Sequence, residues 1–252
     1  MTDFINVPRL VCWFSCGAAS AVATKLAITQ FSGHEIVIAR CIVREEHPDN
    51  DRFAADCEKW FGMPITNLIA EKYDGSIYKV IEKRQYVSGI KGAPCTLELK
   101  KRVREDFQQP TDKHVFGYCA EEQDRWDSFL DANNIDAISP LIERGLEHSD
   151  CLAMVENAGI ELPVMYKLGY HHNNCIGCVK AGGQGYWNKI KVDFPLQFER
   201  MADITRKLNV KLLNVNNVHK HLDDLEIGAG DYQSEPEIQC GIFCEMAQGE
   251  YA

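Results

Sequence analysis

Two groups of residues in this chain have types and spacings that could do chemistry. The first is a set of cysteines. Cys175 and Cys178 form a C-x-x-C pair, and Cys95 stands 80 residues earlier in Gly92-Ala93-Pro94-Cys95-Thr96. Cys240 and Cys244 follow near the C-terminus in Gln239-Cys240-Gly241-Ile242-Phe243-Cys244. Thiolates are soft donors, and three or four of them converging would suit an iron–sulfur cluster or a zinc ion. The second group is Leu10-Val11-Cys12-Trp13-Phe14-Ser15-Cys16-Gly17-Ala18-Ala19-Ser20. It reads as a buried strand, a tight loop of small residues and the start of a helix. Small side chains let the backbone approach an anion, and helix-start N–H groups carry partial positive charge that suits phosphate. Ser15 and Ser20 add hydroxyls at both ends. The loop has neither the Gly-Lys-Ser/Thr of a Walker A motif nor a G-x-G-x-x-G fingerprint. Without chemistry, the same stretch is a strand-to-helix turn kept small for packing.

Weaker candidates surround these two. Glu45, Glu46 and Asp49 follow a strand and could reach a ribose or a metal, or be solvated loop acids. Glu121, Glu122, Asp124 and Arg125 open a helix, where acids also complement the helix dipole. The run Lys100-Lys101-Arg102-Val103-Arg104, together with Lys180, Lys189 and Lys191, could make an anion-binding face or simply be solvated. His171 and His172 beside the C-x-x-C are either zinc ligands or polar surface. Gly182-Gly183-Gln184-Gly185 could wrap a cluster or bind an anion.

The elements that must position these residues alternate between apolar runs and helix-period segments. Strands are expected at Arg9 to Ser15, Glu35 to Ile42, Ile65 to Ile69, His114 to Tyr118 and Ala137 to Pro140. Helices are expected at Ala19 to Phe31, Asn50 to Phe61, Ser76 to Arg84, Cys95 to Phe107, Ala120 to Asn133, Asp150 to Ala158 and Pro195 to Leu208. Such alternation implies an α/β fold with a doubly wound, mainly parallel five-stranded sheet. Ligand is then expected beyond the carboxyl ends of the strands, where the first loop lies. Residues 1–145 form the expected nucleotide-binding core. Residues 146–225 form a helical part with the C-x-x-C loop. Residues 226–252 form a mobile acidic linker and a cysteine-containing tail.

The 252 residues are 45% apolar and 25% charged, as in a soluble globular protein with a sizeable core. No apolar run reaches the roughly 18 residues of a membrane span, and no signal peptide is visible, so a cytoplasmic location is expected. The net charge of −10 argues against broad nucleic-acid binding. The cysteine count, 11, is odd in a long chain without a secretion signal, which disfavours a disulfide scaffold. Cys12, Cys41, Cys57 and Cys151 lie inside expected core elements and read as small buried hydrophobes.

With these motifs in hand, the chain resembles the phosphoadenylylsulfate/adenylylsulfate reductase family of the PP-loop adenine-nucleotide α-hydrolase group, over roughly residues 9 to 244. The loop matches Ser-x-Gly-x-x-Ser, Cys175 and Cys178 match the later cluster pair, and Cys240-Gly241 matches the tail that carries the catalytic thiol. In the tail, Gln239 and Phe243 stand where the family has an acid and a histidine, and three further positions depart from the pattern. Pro94-Cys95 stands where the family has two cysteines, Gly117-Tyr118-Cys119 where it has Gly-Leu-Arg, and Ala19 where the nucleotide α-hydrolases have an Asp that supports magnesium.

The resemblance implies an adenine nucleotide, ATP or a sulfonucleotide, held by Ser15, Cys16, Gly17, Ala18, Ala19 and Ser20, with Arg40 and Gly117 at neighbouring strand ends and magnesium as a possible companion. It implies a 4Fe–4S cluster, with zinc as the alternative, on Cys95, Cys175, Cys178 and Cys244, leaving Cys240 as the catalytic thiol. The opposite assignment of Cys240 and Cys244 stays open. Sulfonucleotide reduction would need a thioredoxin-like reductant. ATP-dependent thiolation would need a sulfur donor and an acceptor, a nucleic acid or a small molecule. A non-catalytic nucleotide- and zinc-binding module, alone or as a homo-oligomer, is the third reading.

Overall fold

The computed structural model describes residues 8–89, 92–236 and 238. In chain order the elements begin with β1 (Leu10–Trp13), α1 (Ala18–Gln30), β2 (Ile36–Cys41), α2 (Asn50–Phe61), β3 (Ile65–Leu68) and α3 (Ile77–Arg84). Then come α4 (Pro94–Thr96), a π-helical turn (Leu97–Lys101) and α5 (Arg102–Phe107). β4 (Lys113–Val115), α6 (Gln123–Ala132), β5 (Asp136–Ile138), α7 (His148–Asn157) and α8 (Val164–Lys167) follow. The last elements are α9 (Gln184–Asp193), α10 (Pro195–Lys207), β6 (Leu213–Val215) and β7 (Val218–Lys220).

β1 to β5 form one sheet in the order β3-β2-β1-β4-β5, and every pairing is parallel. The expected doubly wound α/β architecture is therefore present. Alternation along β1 separates two cores, because successive side chains point to opposite faces. Leu10, Cys12 and Phe14 pack with Ile38, with α1 through Ala21 and Val22, with Phe53 and Phe61 of α2, and with Cys151 and Val155 of α7. On the opposite face Trp13 meets Phe107 edge-on, and its indole N–H donates to Nδ1 of His114 at 3.1 Å. Beyond β4, Phe116 and Tyr118 join Trp126 and Phe129 of α6 in an aromatic cluster.

The chain separates into two compact units. One comprises Met1–Ile42, Pro48–Leu68 and Val103–Asn173, and holds the parallel sheet. The other comprises Val43–His47, Ile69–Arg102 and Asn174–Ala252. This division differs from cuts at 145 and 225. Asn173 closes the sheet unit, and segments from the first half of the chain belong with the C-x-x-C loop.

Three further differences from the sequence expectations have local causes. α9 begins inside the expected loop-rich segment, and its buried Tyr186, Trp187 and Ile190 follow Gly183 and Gly185, which weaken a helical reading. β6 and β7 form a hairpin turned by Asn216 and Asn217, both with positive φ of 52° and 64°. Asn tolerates that region, and the Val-Asn-Asn-Val sequence was a usable hairpin signal. Residues 226–236, expected as a mobile linker, are instead bound to α9. Asn188 donates to the carbonyls of Glu226 and Ala229 and accepts from Gly228 N–H.

Candidate functional site

The loop after β1 sits where the strand order reverses direction, between β1 and β4, which is the place an open α/β sheet leaves for ligand. Its shape is set by side chains from five parts of the sheet unit. Ser20 Oγ accepts from Ser15 N–H at 3.1 Å, contacts Ser15 Oγ at 3.1 Å, and donates to the Gly17 carbonyl at 2.9 Å. Cys16 has φ of 59°, a left-handed conformation that costs a residue with a Cβ about 1 kcal/mol. It is held there from below. Asn173 Nδ2 donates to the Cys16 carbonyl at 2.7 Å and to Asn50 Oδ1 at 2.8 Å, while the Cys16 thiol faces the Asn50 carbonyl at 3.7 Å. Cys16 thus turns its thiol into the core and offers only its backbone to the loop.

Tyr166 supports the other side. Its hydroxyl accepts from Ala18 N–H at 3.3 Å, and burial pushes its pKa up to about 12, so it stays neutral. An added Cβ on Gly17 would meet that oxygen at 3.4 Å. Ser15 is exposed, Gly17 and Ala19 are half-buried, and Ser20 is buried. Among the described residues, the N–H groups of Gly17 and Ala19 donate to no protein acceptor. These are the donors an anion would find.

Gly117 was expected to let the nucleotide approach. Its contacts give it a packing task at the same loop. A Cβ there would stand 2.7 Å from Ser20 N and 2.8 Å from the Ala19 carbonyl carbon, so the glycine admits the first turn of α1. Arg40 is buried at the end of β2, with Nη1 on Asp51 Oδ1 at 2.9 Å, and its Nε has no partner among the described residues. Tyr118 lies in the aromatic cluster with the Arg125 guanidinium 5.0 Å from its ring centroid, and Cys119, where the resembled family has an arginine, is buried.

The loop acids are not solvated. Glu45 accepts from Ser76 Oγ and from Ile77 N–H, both at 2.7 Å, at the start of α3. Asp49 binds Arg52 through both oxygens and accepts from Val164 N–H at 3.0 Å, at the start of α8. Glu121 accepts from His148 N–H at 2.8 Å, at the start of α7. Three carboxylates considered for a ribose or a metal thus satisfy helix N-termini. Glu46 is buried, 3.3 Å from Lys100 Nζ. Glu122 pairs with Arg125 and accepts from Cys119 N–H at 3.1 Å.

The basic run is also committed. Lys100 pairs with Glu46 and Arg102 with Glu98, while Arg104 is buried, which lowers its pKa to about 10. Lys189 pairs with Asp193, and Lys191 lies over Phe198. His172 meets His148 edge-on at 5.0 Å.

Cys95, Cys175 and Cys178 all belong to the second compact unit. Cys175 and Cys178 are buried at the ends of a turn whose Gly177 has φ of 69°, and Cys178 N–H donates to the Tyr186 hydroxyl at 2.7 Å. Cys95 is half-buried at the start of α4, directly after Pro94. The pair has the soft-donor chemistry of zinc or iron–sulfur sites. Among the described residues, however, no three His, Cys, Asp or Glu side chains gather as a metal site. Cys240 and Cys244 lie outside the described residues.

Tyr78 was not foreseen. Its buried hydroxyl has no hydrogen-bond partner among the described residues, its ring lies under Arg200 at 3.8 Å, and burial pushes its pKa up to about 12. Tyr166, Asn173 and Asn50 were missed too, because each acts on the loop from a distant place in the chain.

The remaining cysteines behave as core residues. Cys12, Cys41, Cys57 and Cys151 are buried, and burial pushes the Cys12 and Cys57 thiols up to about 12. Among the described residues, no helix is long and apolar enough to cross a membrane.

No protein-family model matches the chain. No curated protein matches it either. Among solved structures, it is similar to the U34-tRNA thiolase NcsA from Methanococcus maripaludis with its 4Fe–4S cluster. The TM-score is 0.42 and the identity 12%, over 81% of this chain and 71% of that one. A likeness at that level leaves function to the chain's own residues.

Proposed function

We propose that this protein is an adenine-nucleotide-binding enzyme of sulfur transfer or sulfonucleotide reduction. The observation that carries the reading is the loop from Ser15 to Ser20. It stands at the switch point of the parallel sheet, closed by the Ser15 and Ser20 hydroxyls, and the N–H groups of Gly17 and Ala19 at the start of α1 donate to no protein acceptor among the described residues. The bound phosphate would gain charge-assisted hydrogen bonds there without needing a lysine.

In the reductive version the Cys240 thiolate attacks the sulfonyl sulfur of the nucleotide. A sulfur–sulfur bond forms, the sulfur–oxygen bond to the nucleotide breaks, and the nucleotide leaves with the electron pair. A thioredoxin-like dithiol then attacks Cys240 Sγ, releases sulfite and is itself oxidised to a disulfide. In the thiolation version the loop binds ATP and the acceptor is adenylated with loss of pyrophosphate; the outer sulfur of a cysteine persulfide, supplied by the sulfur donor, then displaces AMP, and a second cysteine thiol breaks the sulfur–sulfur bond, releasing the thiolated acceptor and leaving a disulfide that a dithiol reductant resets. Cys119 in place of an arginine weighs against the first version, and Ala19 in place of an aspartate weighs against the second.

Calorimetric titration with ATP and with phosphoadenylylsulfate separates them. Tight binding of the sulfonucleotide alone selects reduction, and tight binding of ATP alone selects thiolation. No binding of either nucleotide to the full chain defeats the reading.

A further inference from the structure

Both versions of the reaction set two anionic groups side by side, the α-phosphate and the pyrophosphate or sulfonate joined to it. Donors or cations of the protein must offset that charge. The loop contributes no basic side chain between Ser15 and Ser20. Ala19 and Cys119 stand where an aspartate for magnesium and an arginine would serve. Arg40, at the neighbouring strand end, is held by Asp51, and Arg125 is held by Glu122.

Two imidazoles flank the supports of the loop instead. Tyr166, whose hydroxyl accepts from Ala18 N–H, has the His148 ring 5.8 Å from its own. The His172 ring meets His148 edge-on at 5.0 Å, and the next residue, Asn173, holds the Cys16 carbonyl. A second route leads to the same place. The segment that brings Gly117 against Ser20 continues to Ala120, which donates to the Leu146 carbonyl at 2.8 Å, and to Glu121, which accepts from His148 N–H. Both histidines are half-buried, so neither is sealed in the core. All of these residues belong to the sheet unit.

We infer that His148 and His172 receive the second anionic group of the nucleotide, the pyrophosphate of ATP or the sulfonate of a sulfonucleotide, while the loop N–H groups hold the first. An imidazole keeps at least one N–H donor in either protonation state, and a proton taken up on binding makes that hydrogen bond charge-assisted. The pair thus supplies the donors that the loop's own side chains lack. The inference rests on the proposed nucleotide-binding reading and deepens it, because it restricts the substrate class to nucleotides that carry an anionic group beyond the first phosphate.

Calorimetric titration of the full chain tests it, with His148→Phe and His172→Phe made singly and together. Phenylalanine keeps a ring in the edge-to-face contact and removes the donors. Each protein is titrated with ATP and AMP, and with phosphoadenylylsulfate and the bisphosphorylated adenosine that it leaves. Within each pair only the second anionic group differs. The double variant is expected to lose about tenfold or more in affinity for the complete nucleotide that the wild type binds, with affinity for its truncated partner unchanged. Equal losses on both members of the pair would mean that the rings only shape the loop through Tyr166, and would overturn the inference, as would no loss at all. The wild type supplies a check that needs no variant. Its affinity for the complete nucleotide should exceed that for the truncated partner by about tenfold or more, and equal affinities overturn the inference even where both nucleotides bind. Binding of no nucleotide by the wild type is a different result, which defeats the proposed function and removes the inference with it.

Discussion

A Cβ placed on Gly117 would lie 2.7 Å from the backbone nitrogen of Ser20, although 97 residues separate the two in sequence. Just beyond β4 the chain passes the first turn of α1 at backbone distance. Anything larger than hydrogen at 117 has to move the loop, since the atoms it meets are backbone and cannot rotate away.

Gly117→Ala is therefore expected to destabilise the chain by about 2 kcal/mol, as overpacking does, and to weaken nucleotide binding at least tenfold. Urea unfolding and calorimetric titration check the two effects. Wild-type affinity in a folded Gly117→Ala protein would show that the first turn of α1 does not contact the nucleotide.

Ser20 makes three contacts that close the loop on itself. Ser20→Ala leaves Ser15 N–H without its acceptor and removes the donor to Gly17. The expected cost is about 1–2 kcal/mol of stability, with a larger proportional loss in nucleotide affinity, because the loop rather than the core is disturbed.

Tyr166→Phe keeps the ring and removes the oxygen that accepts from Ala18. A buried N–H left without an acceptor costs about 1–3 kcal/mol. Exchange of the Ala18 amide should rise in the variant ahead of global unfolding. If that amide stays as protected as in the wild type, the hydroxyl does not hold the loop.

Glu45 separates capping from metal binding. Glu45→Gln should lower stability by about 1 kcal/mol through the start of α3. Any magnesium dependence of nucleotide binding should remain as in the wild type. A lost magnesium dependence would return Glu45 to the list of ligands.

His114 carries a pH dependence of known sign. Burial lowers its pKa from 6.5 to about 4. Between those values the unfolded chain binds the proton and the folded chain does not. Stability is therefore full above pH 6.5 and falls as pH drops toward 4, by an amount on the order of 3 kcal/mol. His114→Gln should flatten the urea midpoint across that window. Asp112, held low by Arg9, acts only below the ordinary carboxylate range and does not confuse the measurement.

Much of the sheet was legible because its signals are local. A buried apolar run marks β1 and a β-branched one marks β2, and α2 runs over Asn50 to Phe61 as its pattern predicts, ending at Gly62 with φ of 71°. The small-residue loop was legible for the same reason. What holds it was not, since Asn50, Tyr166 and Asn173 are ordinary polar residues until the chain has folded. The acids at 45, 49 and 121 misled for a related reason. Each caps a helix that begins far along the chain, where no spacing rule reaches. α9 was missed because the glycines at its start look like a loop.

The two compact units are each assembled from three separated pieces, alternating along the chain from Met1–Ile42 to Asn174–Ala252. During synthesis the sheet unit stays incomplete until Asn173 has left the ribosome, because the residue that supports Cys16 is the last one it contains. The second unit waits longer still, although its first five residues, Val43–His47, are made before most of the sheet unit. The sheet unit can therefore close before the second unit is complete, but because the pieces of the two units alternate along the chain, no single cut separates them into segments that could be moved whole into another gene.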